Sequence, residues 1–82
     1  MSRHEKLLER LRRKPNDFAW AELKRLLGGF GYKEESGEGS RRRFIHSETK
    51  VMISLHEPHP EGILKFYQVR DILAHLKQEG YL

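Results

Sequence analysis

A stretch of alternating side chains in the middle of the chain constrains the fold more than any other feature. In residues 51–56 the aliphatic side chains Val51, Ile53 and Leu55 alternate with Met52, Ser54 and His56, as expected for a strand with one buried face. Residues 41–46 favour a second strand, and the four residues 47–50 between them suit the loop of a hairpin. The sequence therefore predicts two neighbouring antiparallel strands.

The length of this loop also predicts how the two strands pair. With residues 47–50 as the loop, Phe44 stands opposite Ile53 on the side that faces the core. The same register places Arg41 opposite His56 on the other side of the sheet. A guanidinium beside an imidazole disfavours a second positive charge, and a neutral imidazole can act as a general base. Arg41 and His56 are therefore the candidate catalytic residues.

Leucines at helical spacing predict two helices before the strands. The first covers residues 3–13 and opens with a capping box, and Pro15 stops it because proline disfavours helical angles at the preceding residue. A second helix is expected to begin at a cap supplied by Asn16 or Asp17. It should end at residues 28–29, two glycines that allow left-handed geometry.

A further strand and a last helix complete the predicted order α-α-β-β-β-α. The strand is expected at residues 30–36, and the helix contains the apolar positions of residues 69–76 and stops at Gly80. Three consecutive strands imply an antiparallel sheet with helices on one face and solvent on the other. We therefore predict an α+β fold that forms a single domain over residues 1–82.

Composition narrows the classes of function. The 82 residues include 16 Lys and Arg against 12 Asp and Glu, and the formal net charge is +4. A basic surface suits phosphate groups, although such charges can equally form a solvated surface. The chain has no cysteine, and His56 and His59 do not match a helical zinc motif, so neither metal nor cofactor is expected. The lack of a disulfide framework removes the usual sign of secretion and makes the cytoplasm the expected location, and no apolar run approaches the roughly 20 residues of a membrane span.

Several short motifs occur in an order that is typical of one protein family. A Gly-Ser turn enters the second strand, an aromatic residue follows it, and the last helix carries an arginine within an apolar segment. The motifs are Gly39-Ser40, Phe44-Ile45-His46, Ile53-Ser54-Leu55-His56 and Val69-Arg70-Asp71-Ile72-Leu73. In this order they resemble the HicA toxins of bacterial HicA/HicB toxin–antitoxin pairs. The resemblance covers residues 17–82, and the helix at 3–13 is an addition to it.

The resemblance implies a double-stranded-RNA-binding-like fold, metal-independent cleavage of messenger RNA and a cognate HicB-like antitoxin. The family has a catalytic histidine directly after the Gly-Ser motif, and this sequence has Arg41 there. One interpretation moves the base to His56, which would deprotonate a ribose 2′-OH while Arg41 or Arg43 stabilises charge on the phosphate. A second retains binding of single-stranded or messenger RNA without cleavage. A third is a protein-docking domain that uses the open sheet face and an edge strand.

The remaining predictions concern individual side chains. The residues predicted to contact RNA are Ser40, Arg41, Arg42, Arg43, Lys50 and Arg70. The aromatic residues expected to pack in the core are Trp20, Phe30, Tyr32, Phe44, Phe66 and Tyr67, with Tyr32 able to stack on a base if it is exposed. His46 is expected at the edge of the core, and His4 and His75 on the surface.

Overall fold

The three helices and three strands follow the order α-α-β-β-β-α that the sequence predicts. The computed structural model describes residues 2–59 and 62–82. Its elements are α1 (Arg3–Arg12), α2 (Trp20–Gly29), β1 (Tyr32–Ser36), β2 (Arg41–His46), β3 (Met52–His56) and α3 (Phe66–Gln78). The strands form one antiparallel sheet in the order β1-β2-β3, so the α+β class is confirmed. None of the helices in these residues combines the length and the apolar character that crossing a membrane requires.

The register of the β2–β3 hairpin is the one that the loop length predicts. Arg41 pairs with His56 on one face of the sheet, and Phe44 pairs with Ile53 on the other face. The backbone N–H of His46 donates to the carbonyl of Val51 over 2.9 Å, which closes the hairpin at the predicted loop. Side chains of β2 and β3 at paired positions therefore share a face, as the sequence indicates.

His46 holds this loop in place from the edge of the core, where the sequence predicts it. Its Nδ1 atom accepts hydrogen bonds from the backbone N–H groups of Glu48 at 3.1 Å and Thr49 at 3.2 Å. Because Nδ1 is an acceptor, Nε2 carries the proton, and it donates to the carbonyl of Phe30 over 2.8 Å. The buried ring thus connects the hairpin loop to the end of α2.

One hydrophobic core joins the three helices to one face of the sheet. Its buried side chains are Leu11, Phe18, Trp20, Leu23, Leu26, Leu27, Tyr32, Phe44, Leu64, Val69, Ile72 and Leu76. Leu11 belongs to α1 and is fully buried, so the N-terminal helix shares this core. Met52 points to the opposite face of the sheet and is half exposed. The helices therefore cover one face and leave the other open.

The start of α2 differs from the prediction for a physical reason. Neither predicted cap, Asn16 or Asp17, occupies that position, and the N-cap is Ala19. The carbonyl of Phe18 accepts from the N–H of Leu64 over 2.8 Å, which holds the chain extended up to the first turn. This pairing joins segments that are far apart in sequence, so no local capping signal reveals it.

The boundary between α2 and β1 is also displaced from the predicted position. The helix ends at Gly29, as expected, but Gly31 is the residue with left-handed backbone geometry, at φ 101°. Phe30 still has helical angles as the C-cap. As a result β1 begins at Tyr32 rather than at residue 30.

The expected positions of several rings are wrong. Phe66 and Tyr67 lie on the outer side of the first turn of α3 and are 64% and 50% exposed. Tyr32, by contrast, packs in the core as predicted, at 4% exposure, because its side chain points to the covered face of the sheet; it is therefore not available to stack on a base. His4 and His75 are half-buried rather than on the surface, since each packs against a neighbouring element.

Candidate nucleic-acid interface

The open face of the sheet carries part of the predicted site. Arg41 and Arg43 project from β2 on this face, opposite His56 and Ser54 of β3. All four residues are exposed, so cations, an imidazole and a hydroxyl share one accessible surface. The guanidinium of Arg43 also lies 3.5 Å from the carboxylate of Glu35 on β1, which partly balances its charge.

Arg42 lies on the other face of the sheet because successive side chains of a strand alternate. One of its terminal nitrogens, Nη1, donates to the carbonyls of Gly39 and Arg41, each over 2.9 Å. Its Nε atom lies 3.4 Å from the carboxylate of Glu57. Arg42 therefore braces the β1–β2 turn against the end of β3 and is not part of the surface that holds Arg41 and Arg43.

Ser40 touches the imidazole of His56 from the turn that precedes β2. Its Oγ atom lies 3.3 Å from His56 Nδ1, a long hydrogen bond, and its carbonyl accepts from the N–H of Glu57 over 2.8 Å. In the tautomer that carries its proton on Nδ1, the ring donates to the Ser40 hydroxyl and its Nε2 lone pair is free. That tautomer is the one a general base requires, so Ser40 is well placed to orient the ring.

Gln68 fixes the backbone of His56 and was missed by the sequence predictions. Its side-chain N–H donates to the His56 carbonyl over 2.9 Å, and its Oε1 accepts from the N–H of Lys65 over 2.9 Å. Gln68 is buried at 5% exposure, so both bonds are partly shielded from water. The signal that could have found it is the spacing of Lys65 and Gln68, which matches the glutamine arm of a capping box at the start of a helix.

A groove with a volume of about 200 Å³ lies between residues 53–56 of β3 and the first half of α3. Ser54 and His56 line it from the strand, and Tyr67 and Asp71 line it from the helix. An exposed phenol ring next to an imidazole provides a flat surface on which a base can stack. The groove therefore combines a hydrogen-bonding group, a base-stacking surface and a proton acceptor.

Two further predicted RNA contacts lie away from this cluster. Lys50 is in the β2–β3 loop, where its ammonium donates to the Ser47 carbonyl over 2.9 Å. This loop is at the other end of β3 from His56, and the six residue steps from Lys50 to His56 span about 20 Å at roughly 3.3 Å per residue. Arg70 projects from α3 and lies 3.3 Å from the carboxylate of its neighbour Asp71. The structure thus brings Ser40, Arg41 and His56 together and leaves Lys50 and Arg70 apart from them.

This arrangement can support two kinds of chemistry. An accessible imidazole with an oriented ring can accept a proton from a hydroxyl group. A guanidinium on the neighbouring strand can bind a phosphate and stabilise charge that develops on it. A phosphodiester with an adjacent hydroxyl is a substrate that would use both groups.

The comparison with protein families gives one match. A family model described as the HicA toxin of bacterial toxin-antitoxin matches residues 20–80, which is most of the chain. Neither the comparison with curated proteins nor that with solved structures gives a significant match. The match includes the sheet, α3 and the group formed by Ser40, Arg41 and His56, which we call the Ser40–His56 cluster, and α1 lies before its start.

Proposed function

The chain belongs to the HicA toxin family of bacterial toxin–antitoxin systems, and from this premise we propose that it is an endoribonuclease that cleaves messenger RNA. Membership in the family also implies a cognate antitoxin. In our proposal the antitoxin neutralises the toxin by covering the open face of the sheet. The observation that carries the proposal is the position of Arg41 directly opposite His56 on that face.

The proposed reaction uses the RNA's own hydroxyl group as the nucleophile. His56 Nε2 takes the proton from a ribose 2′-OH, and the resulting oxygen attacks the adjacent phosphorus. The bond from phosphorus to the 5′ oxygen breaks, and that oxygen takes a proton from solvent water and leaves as a 5′-OH, while His56 later returns its own proton to solvent. The other product ends in a 2′,3′-cyclic phosphate.

Two neighbouring side chains support this step without taking part in the proton transfer. The guanidinium of Arg41 binds the phosphate and stabilises the extra negative charge of the transition state. The Ser40 hydroxyl accepts a hydrogen bond from Nδ1–H of His56 and keeps the Nε2 lone pair directed at the substrate. Arg41 occupies the position of the family's motif histidine, so in this protein the base would come from β3 instead.

That same substitution favours a second candidate function. A chain that has lost the motif histidine could bind RNA through Arg41 and Arg43 and still carry out no cleavage. Such a protein would act by occupying RNA, and its binding would weaken steeply with salt because phosphate contacts release counterions.

The proposal is tested by comparing two histidine variants of the full-length protein. Purified wild type, His56→Ala and His59→Ala are incubated with a long single-stranded RNA in EDTA, and the 3′ ends of the products are examined for cyclic phosphate. His59 is a matched control because it is exposed and lies three residues beyond His56 outside the strand. We expect cleavage by wild type and His59→Ala and its loss in His56→Ala.

Two other outcomes would change the conclusion. Equal cleavage by all three proteins would remove His56 from the mechanism. Absence of cleavage by wild type, together with salt-sensitive RNA binding, would favour the second candidate function over the first.

A further inference from the structure

The N-terminal helix carries a row of cations along one side. Arg3, Lys6, Arg10 and Arg13 are separated by three or four residues, so they lie on the same face of α1. Arg25 of α2 lies across from this row. Two adjoining depressions share Lys6 and Arg10, with volumes of about 410 Å³ at the Arg3 end and about 490 Å³ at the Arg13 end. We call this continuous surface the α1–α2 groove.

Arg10 differs from the other cations because it fixes the position of α1. Its Nε atom lies 2.9 Å from the carboxylate of Glu22, and Nη1 lies 3.0 Å from that of Asp17. The guanidinium also lies over the ring of Phe18, 5.3 Å from its centre. Hydrogen bonding to Arg10 lowers the pKa of Glu22, so the carboxylate stays ionised and the pairing persists. Arg10 is thus neutralised and serves as an anchor.

A second anchor fixes the other end of α1. The His4 ring packs edge-on against Phe30, with 4.4 Å between ring centres, and Nε2 lies 3.2 Å from the Leu26 carbonyl. Gly29 allows this approach, since a Cβ atom there would overlap the His4 ring. With both ends anchored, the cations of the α1–α2 groove stand on a rigid support.

The other cations of the groove are available to a ligand. Within residues 2–59 and 62–82, no carboxylate lies within 4.0 Å of the charged nitrogens of Arg3, Lys6, Arg13 or Arg25. Residues 1–29 contain eight Lys and Arg and four Asp and Glu, so their net charge of +4 equals that of the whole chain. The charge excess therefore lies in the segment that forms α1 and α2, and five of its eight cations line this groove.

We propose that the α1–α2 groove binds the phosphate backbone of RNA as a second contact surface, separate from the Ser40–His56 cluster. The proposal rests on the proposed function only in naming RNA as the ligand. Guanidinium and ammonium groups fit phosphates, and several of them along one helix face match the repeating charge of a strand. The centre of a protein interface is instead depleted of charge and rich in aromatic residues, which this groove does not resemble.

The test measures how RNA affinity depends on salt in three full-length proteins. The first is wild type, and the second replaces the groove cations Arg3, Lys6 and Arg25 with glutamine. The control replaces Lys14, Lys65 and Lys77 with glutamine, which removes the same charge from residues that do not line the groove. The probe is a 2′-O-methyl RNA oligonucleotide, which retains the phosphates and lacks the hydroxyl needed for cleavage.

Each phosphate contact with a single strand contributes about −0.7 to the slope of log affinity against log salt. We expect the groove variant to lose about two units of this slope and the control to keep it. Equal slopes in the two variants would overturn the proposal. A second result would also overturn it. If wild type bound polyglutamate as tightly as the RNA probe, and the groove variant lost both affinities equally, the groove would recognise acidic chains in general.

Cleavage is measured separately with unmodified RNA, which keeps the two proposals distinguishable. A groove variant with a reduced slope supports the α1–α2 groove even if wild type does not cleave. Cleavage by wild type with unchanged slopes would support the endoribonuclease and remove the groove from RNA binding.

Discussion

The phenol oxygen of Tyr32 lies 2.7 Å from Nε2 of His75, and this hydrogen bond ties β1 to α3 beneath the sheet. Burial is the main cause that raises the pKa of Tyr32 to about 12, so the phenol keeps its proton. Burial also lowers the pKa of His75, against a smaller opposing effect of Glu79. The phenol therefore donates, and a neutral imidazole accepts.

This pair predicts a loss of stability in mild acid. Because the folded pKa of His75 is below its ordinary 6.5, the unfolded chain binds more protons once the pH falls towards that value. The free energy of unfolding should therefore decrease as the pH drops below about 6.5. His75→Gln should flatten this dependence. Urea unfolding of both proteins across the range measures it, and parallel curves would contradict the assignment.

Ser40 is expected to act on catalysis by positioning His56. Ser40→Ala should lower kcat for RNA cleavage roughly fivefold, because a hydrogen bond of this kind contributes about 1 kcal/mol. RNA affinity should change little. Ser40→Thr retains the hydroxyl and should recover most of the rate, and the pH profile of kcat should shift only in the alanine variant. A rate loss that threonine does not restore would indicate a packing role instead.

Tyr67 is expected to stack on a base in the groove beside His56. Tyr67→Leu should weaken binding of single-stranded RNA by about 1 to 3 kcal/mol. Phe66→Leu is the matched control, because Phe66 is the neighbouring exposed ring and does not line that groove. Fluorescence anisotropy with a labelled oligonucleotide measures both affinities. Equal effects of the two substitutions would argue against a specific stacking position.

The contact of α1 with α2 is expected to depend on the absence of a side chain at Gly29. Gly29→Ala should destabilise the fold by about 1 to 3 kcal/mol, since the new methyl group meets the His4 ring. Gly28→Ala is a control with free space around it, and it should stabilise the helix by about 0.5 to 1 kcal/mol. Adding His4→Ala to Gly29→Ala should recover part of the loss. Thermal unfolding measures all four proteins.

The strand pairing could be predicted from the sequence because two local constraints agree on it. Alternation selects the buried face of β3, and the loop length then leaves one register for β2. Arg41 and His56 therefore appear as a pair before any coordinate is known. The start of α2 could not be predicted in this way, because the bond from Leu64 to Phe18 that delays it is formed by distant residues.

Other features of the site required tertiary information. The three consecutive arginines suggest one basic patch, but strand alternation sends Arg42 to the turn-bracing position and leaves its predicted contact with RNA untested. Gln68 carries a polar side chain in an otherwise apolar helix face, and its role becomes visible only when the end of β3 is adjacent. The half-buried positions of His4 and His75 likewise depend on partners from other elements.

The bond from Gln68 to the His56 carbonyl has a further consequence for how this sheet can be extended. The carbonyl of Val51 accepts a hydrogen bond from β2. Because successive residues of a strand direct their backbone groups to opposite sides, the N–H and C=O groups of Met52, Ser54 and His56 point away from the sheet. Gln68 occupies the carbonyl of the last of these. Within the described residues, an incoming strand would therefore find a short template at Met52 and Ser54. The side chain that holds the proposed base in place also protects this edge from self-association.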